Sequence, residues 1–106
     1  MPSPLVPWMS RVDEQILRVL DQVGFPLPPK AIMLGIRERY GEEATPGANH
    51  VSRRVRGPLS EHGLVDRPFP DEARTYYGVT ELGERYLHDS NAEPGEFVAG
   101  MDASGE

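Results

Sequence analysis

Cysteine is missing from the 106 residues, and its absence removes disulfides, thiolate metal sites and cysteine nucleophiles together. Lysine is almost missing, with Lys30 standing alone against ten arginines. No apolar run approaches the ~18 residues of a membrane span, and the Pro-rich start, Met1–Pro7, lacks a signal peptide's positive region and apolar stretch. A cytoplasmic location is the expectation. Catalytic patterns are lacking as well. His50, His62 and His88 are scattered without the His/Asp/Glu spacing of a metal site. The stretch Gly41-Glu-Glu-Ala-Thr-Pro-Gly47 is not a phosphate-binding loop, and no nucleophile stands beside a base. Neither an enzyme nor a bound cofactor is expected.

What the sequence does hold is room for one domain and little more. Hydrophobic residues make up 38%, while 11 Pro and 11 Gly point to real loops and a loose end. The formal charge of −6 argues against a nucleic-acid partner until its location is traced. Past His88 lie Asp89, Glu93, Glu96, Asp102 and Glu106, with no Lys or Arg among them. That leaves twelve acids against all eleven bases in residues 1–88, so this part is within one charge of neutral. Most of the negative charge belongs to the end of the chain.

Residues 1–9 read as a Pro-rich arm whose Trp8 either covers a partner subunit or seals the chain's own core. Ser10 is placed to cap a helix, with Asp13 three residues on. Val12, Ile16, Val19, Leu20 and Val23 then recur at helical spacing until Gly24 stops the run. Prolines keep Phe25–Pro29 extended, with a rung of sheet expected near Leu27. A second helix runs from Pro29 to about Tyr40 with Ile32 and Ile36 inward, and Gly41–Gly47 is a turn. A third helix spans about Ala48 to His62 with Val51, Val55 and Leu59 on one face. Gly57-Pro58 inside it predicts a kink or a break. Leu64–Arg67 and Arg74–Val79 read as two hairpin strands around a Phe69–Ala73 loop, kept short by Pro68 and Pro70. Thr80 caps a last helix, Glu81–His88, with Leu82, Tyr86 and Leu87 inward, and residues 89–106 read as an acidic disordered tail. The expected fold is therefore mainly α with a small antiparallel β wing: a winged helix-turn-helix occupying residues 10–88.

With Val51, Val55 and Leu59 toward the core, a rotation of about 100° per residue puts Asn49, Arg53 and Arg56 on the far side of the third helix. His50, Ser52 and Arg54 fall on its flanks, and no acid occurs before Glu61. Arginine forks match phosphate oxygens and the O6/N7 edge of guanine, and asparagine can pair with adenine. The plain alternative is a solvated helix face. Three arginines within four positions make duplex DNA the expected partner. Arg67 and Arg74 flank the wing turn, where they reach a phosphate or the minor groove, or else pair with Asp66, Asp71 or Glu72. Lys30 sits at the start of the second helix, where backbone amides and a positive side chain can meet a phosphate.

The string Val51-Ser-Arg-Arg-Val-Arg-Gly-Pro-Leu-Ser-Glu-His-Gly-Leu-Val65 resembles the recognition helix and first wing strand of prokaryotic winged-helix regulators. Thr80-Glu-Leu-Gly-Glu-Arg-Tyr-Leu87 is similar to the Thr-x-x-Gly-x-x-Tyr-Leu that closes the wing in those proteins. The Arg-rich, acidic composition resembles that of proteins from salt-loving archaea, although a high-GC bacterial genome also favours Arg over Lys. With it, the chain resembles haloarchaeal winged-helix proteins grouped with a halophage repressor. The likeness covers roughly Val12–His88 and departs at Gly57-Pro58 and at the long turn Gly41–Ala48. It implies a sequence-specific transcriptional regulator of the repressor kind, reading the major groove with the 48–62 helix and touching backbone or minor groove with the wing. A homodimer on a palindromic site fits that picture. The alternative is a winged-helix protein-interaction module that engages a partner through the arm or the tail. At molar salt the Debye length is about 3 Å, so binding would lean on fitted contacts rather than on long-range steering.

Overall fold

The computed structural model describes residues 6–98; the first five residues of the arm and residues 99–106 of the tail lie outside the described residues. Helix α1 (Arg11–Val23) starts on a reciprocal capping box. Ser10 N donates to Asp13 Oδ2 at 2.8 Å, and Asp13 N donates to Ser10 Oγ at 3.4 Å. The helix ends at Gly24, whose φ of +75° is open to glycine at no steric cost. It buries Ile16, Leu17, Val19 and Leu20. Val23, expected inward, is 53% exposed at the last position of the helix.

Helix α2 (Pro29–Tyr40) opens on a proline whose missing N–H and preset φ suit the first helical position. It buries Ile32 and Ile36 and crosses α1 closely, for a Cβ added at Gly35 would lie 2.6 Å from Val19 Cγ1. A single 3-10 turn, Glu42–Ala44, leads to helix α3 (Ala48–Arg56). The helix expected over residues 48–62 is in fact two. Gly57 breaks it with φ −100° and ψ −109°, and a short helix α4 (Pro58–Glu61) follows. Pro58 lacks the N–H that would continue the ladder, and its ring disfavours helical backbone at the residue before it. Ser60 Oγ donates to Val55 O at 2.6 Å and satisfies one of the carbonyls left at the break. Leu59 still reaches the core through α4, fully buried like Val51 and Val55.

Strands β1 (Val65–Asp66) and β2 (Gly78–Val79) pair antiparallel, Val65 opposite Val79 and Asp66 opposite Gly78. The expected rung near Leu27 is present: Leu27 and Tyr77 exchange two backbone hydrogen bonds of 2.9 Å. The strands are shorter than Leu64–Arg67 and Arg74–Val79. Pro68 and Pro70 cannot donate to a ladder, so residues 67–76 form an irregular loop. Phe69 braces that loop, with ring centroids 5.9 Å from Phe25 and 5.7 Å from Tyr76.

Helix α5 (Glu81–His88) is capped by Thr80, whose Oγ1 accepts from Gly83 N at 3.1 Å and donates to Gly63 O at 2.6 Å. Tyr86 and Leu87 are buried and Leu82 is partly so. The expectation of disorder from Asp89 onward does not describe residues 89–98. They carry a 3-10 turn, Pro94–Phe97, and the Phe97 side chain is fully buried, edge-on to Tyr86 at 5.5 Å. Burying one such side chain is worth about 1.5–3 kcal/mol, which offsets part of the entropy of ordering the segment. Trp8 completes this corner by stacking on His62 at 4.4 Å and donating from Nε1 to Phe97 O at 2.7 Å. Trp8 thus packs, partly buried, against the chain's own core, one of the two roles expected for it.

The described chain is thus mainly helical with a small two-stranded antiparallel sheet, its core shared by α1, α2, α3, α4, β1, β2 and α5. No helix among the described residues is long and apolar enough to cross a membrane. The tightest joint lies between α5 and the sheet. A Cβ at Gly83 would sit 2.6 Å from Leu64 O and from Val79 Cγ2. Gly83→Ala is therefore expected to destabilise the fold by about 1–3 kcal/mol, because one neighbour is rigid backbone. Urea unfolding monitored by circular dichroism checks this, and an unchanged midpoint would contradict it.

Candidate nucleic-acid interface

Helix α3 has two sides of opposite chemistry. Val51 and Val55 are fully buried, and roughly half a turn away Asn49, Arg53 and Arg56 are all exposed, spaced i, i+4 and i+7. The helix contains no acid. Arg53 Nη2 lies 3.3 Å from His50 Nδ1, a contact that orders the arginine along the helix without neutralising it. Ser52 and His50 are half-buried on the flanks.

Arg54 departs from the expected role. It sits three residues after Val51 and one before Val55, so its side chain leaves α3 on the flank nearer the core and folds onto α1. Its Nε donates to Asp13 Oδ1 at 2.8 Å and its Nη2 to Asp13 Oδ2 at 2.7 Å, a bidentate fork. Nη2 also donates to Trp8 O at 3.2 Å. Asp13 is fully buried, and its carboxylate accepts from Ser10 N, Ser10 Oγ and both Arg54 nitrogens. Hydrogen bonding to Asp13 holds the Arg54 guanidinium above its ordinary pKa, against a smaller opposing effect of burial. Arg54 is therefore tied to the fold through Asp13 rather than standing free on the α3 surface.

The other expected contacts lie on separate elements. Lys30 is exposed in the first turn of α2, and Arg67 and Arg74 are exposed in the loop between β1 and β2. Among the described residues, neither Arg67 nor Arg74 forms an ion pair with Asp66, Asp71 or Glu72, and Lys30, Arg53 and Arg56 have no carboxylate partner. What the fold brings together is the stripe Asn49, Arg53, Arg56, while Lys30, Arg67 and Arg74 stand on other elements. Arginine side chains with free forks bind phosphate oxygens and guanine edges, and an exposed Asn on the same stripe adds a donor and an acceptor. The turn between α2 and α3, residues 41–47, is longer than a tight helix-turn-helix allows, and its Thr45 Oγ1 donates to Gly41 O at 2.7 Å.

Comparison of the chain with protein-family models, with curated proteins and with solved structures returns no match. The reading of this surface accordingly rests on its own geometry.

A second constellation escapes the sequence reading. Asp21 from α1 meets Glu84 and His88 from α5, with one ligand atom of each lying within 4.8 Å of the others. His88 Nε2 is 2.8 Å from Asp21 Oδ2 and 3.8 Å from Glu84 Oε1. Desolvation, and after it the hydrogen bond and charge of Asp21, hold the Glu84 carboxyl above the ordinary glutamate range. The only local signal is the spacing of Glu84 and His88, four apart on one helix face. Asp21 is far away in sequence, and only the packing of α1 on α5 supplies it.

The roles of the three arginines separate by stability. Arg54→Ala leaves a buried carboxylate without its fork and is expected to cost about 3–5 kcal/mol. Arg53→Ala and Arg56→Ala, on an exposed face, should each stay within about 0.5 kcal/mol of the parent. Denaturant titration of the three variants decides, and equal losses in all three would refute the assignment.

Proposed function

We propose that the chain is a winged helix-turn-helix protein that binds double-stranded DNA and regulates transcription, acting as a repressor by occupying a promoter or operator. The observation that carries this reading is the exposed, acid-free stripe of Asn49, Arg53 and Arg56 on a helix whose opposite side is fully buried. With its side chains an α-helix is about 10–12 Å across, which matches a major groove about 12 Å wide, and the 9 residues of α3 give it about two and a half turns to lay there. Its C-terminal end stops at Gly57, so the reading element is α3 alone and not the whole of 48–62. Arg53 and Arg56 are assigned to base edges or phosphates, with Asn49, His50 and Ser52 beside them. Arg67 and Arg74 on the loop, and Lys30 at the start of α2, are assigned to the backbone or minor groove.

The charge distribution supports this despite a total of −6, because residues 1–88 are close to neutral and, among the described residues, Arg53 and Arg56 of α3 have no carboxylate partner. A haloarchaeal source, a cytoplasmic location and a homodimer on a palindromic site belong to the same proposal. The competing reading is a protein-interaction module working through arm or tail; in the described residues Trp8 and Phe97 are bonded to each other and pack against His62 and Tyr86.

A mobility-shift assay with genomic fragments from the source organism tests the proposal. Arg53→Ala and Arg56→Ala should each weaken specific binding about tenfold or more, since a good base contact is worth ~1–3 kcal/mol. Arg67→Ala should instead weaken binding to all sequences alike and lower the salt slope by about one. Binding that is unaffected by the α3 substitutions, or absent at every salt concentration, would sink the reading.

A further inference from the structure

We propose that Asp21, Glu84 and His88 form a binding site for a divalent transition-metal ion, with Zn²⁺ as the natural candidate, which clamps α5 to α1. The site is separate from the α3 surface and does not depend on the DNA reading. Two carboxylate oxygens and one imidazole nitrogen are the donor types that zinc accepts, and their mixture favours such ions over the all-oxygen sets of Ca²⁺ and Mg²⁺. The spacing suits a single ion. Ligands about 2.1 Å from a tetrahedral metal stand roughly 3.4 Å apart. The distances from His88 Nε2 to Asp21 Oδ2, 2.8 Å, and to Glu84 Oε1, 3.8 Å, bracket that value, and all three atoms lie within 4.8 Å. A small adjustment of exposed side chains closes the set.

The scaffold is firm where it needs to be. Glu84 and His88 share one face of α5, a helix fixed by the Thr80 cap and by the close approach of Gly83 to Leu64 O. Asp21 projects from α1 between the buried Leu20 and the glycine-capped end of the helix. The ligands are also reachable, with side chains 57%, 47% and 26% exposed for His88, Glu84 and Asp21. Three protein ligands leave a fourth position for water, so the ion would be held as an open, exchangeable brace. Its neighbour Arg85 is turned aside, paired with Asp89 and Glu96, and does not fill the site with its own charge.

The full-length chain, stripped with EDTA and dialysed, is titrated with ZnCl₂ by calorimetry, and Co²⁺ is added in parallel to read visible d–d absorption. One equivalent is expected to bind, and at a free concentration a hundred times Kd the melting temperature should rise by roughly 10 °C. His88→Ala and Glu84→Gln, both at exposed positions, should melt like the parent in EDTA. Each should weaken Zn²⁺ binding at least about tenfold, and His88→Ala should lose the Co²⁺ absorption. Binding of undiminished affinity in both variants would place the ion elsewhere on the chain and overturn the proposal, as would the absence of binding at millimolar Zn²⁺.

Discussion

A carboxylate with no exposed surface lies at the first turn of α1, and the arrangement of the domain depends on how Asp13 is satisfied. Its oxygens take both polar groups of Ser10 and the fork of Arg54. The positive end of the α1 dipole adds to the same effect. One side chain therefore does two jobs that are usually separate. It caps the helix on which it sits, and it fixes α3 against that helix at a set rotation. Arg54 extends the link by donating to Trp8 O, so the arm, α1 and α3 meet at a single charged pair. Such a pair contributes modestly as a whole, because both ions are taken from water, yet removing one partner strands the other.

That pair also shapes the surface of α3. Drawing Arg54 onto α1 removes one cation from solvent, and it holds the helix so that Arg53 and Arg56 point directly away from the core. The Gly57-Pro58 break has a related effect. It ends the helix directly after Arg56, and the separate helix α4 carries Leu59 into the core.

A chain of this length has little core to spare, and it recruits both ends of the described chain to extend it. Val6, Trp8 and Phe97 close over His62 and Tyr86. Within residues 89–98 the acids are part of this packing: Glu96 pairs with Arg85, and Arg85 holds the Glu96 carboxyl below its ordinary range. Phe25 and Phe69, by contrast, remain 57% and 38% exposed, with Phe69 ring contacts to Phe25 and to Tyr76.

Local rules carry far in this sequence, because the signals are short-range. The cap at Ser10 and Asp13, the glycine stop at Gly24, the proline start at Pro29, the break at Gly57-Pro58 and the Thr80 cap each follow from backbone chemistry within four residues. The buried valines of α3 and its exposed Asn49, Arg53 and Arg56 follow from helical periodicity alone. Periodicity is blind, however, to what stands across from a flank. Arg54 reads as a ligand contact until Asp13, 41 residues earlier, is brought beside it. Phe97 reads as part of a polar tail until Tyr86 and Trp8 offer it a place to bury. Asp21, Glu84 and His88 are three unrelated residues until α1 packs on α5. The sequence by itself determined most helix starts and stops and the apolar faces of α2 and α3, because those are decided by neighbours along the chain. Only the tertiary structure decided which charges are used inside the fold and which remain free, because a charge's partner is set by distance in space, through desolvation and geometry that no local pattern records.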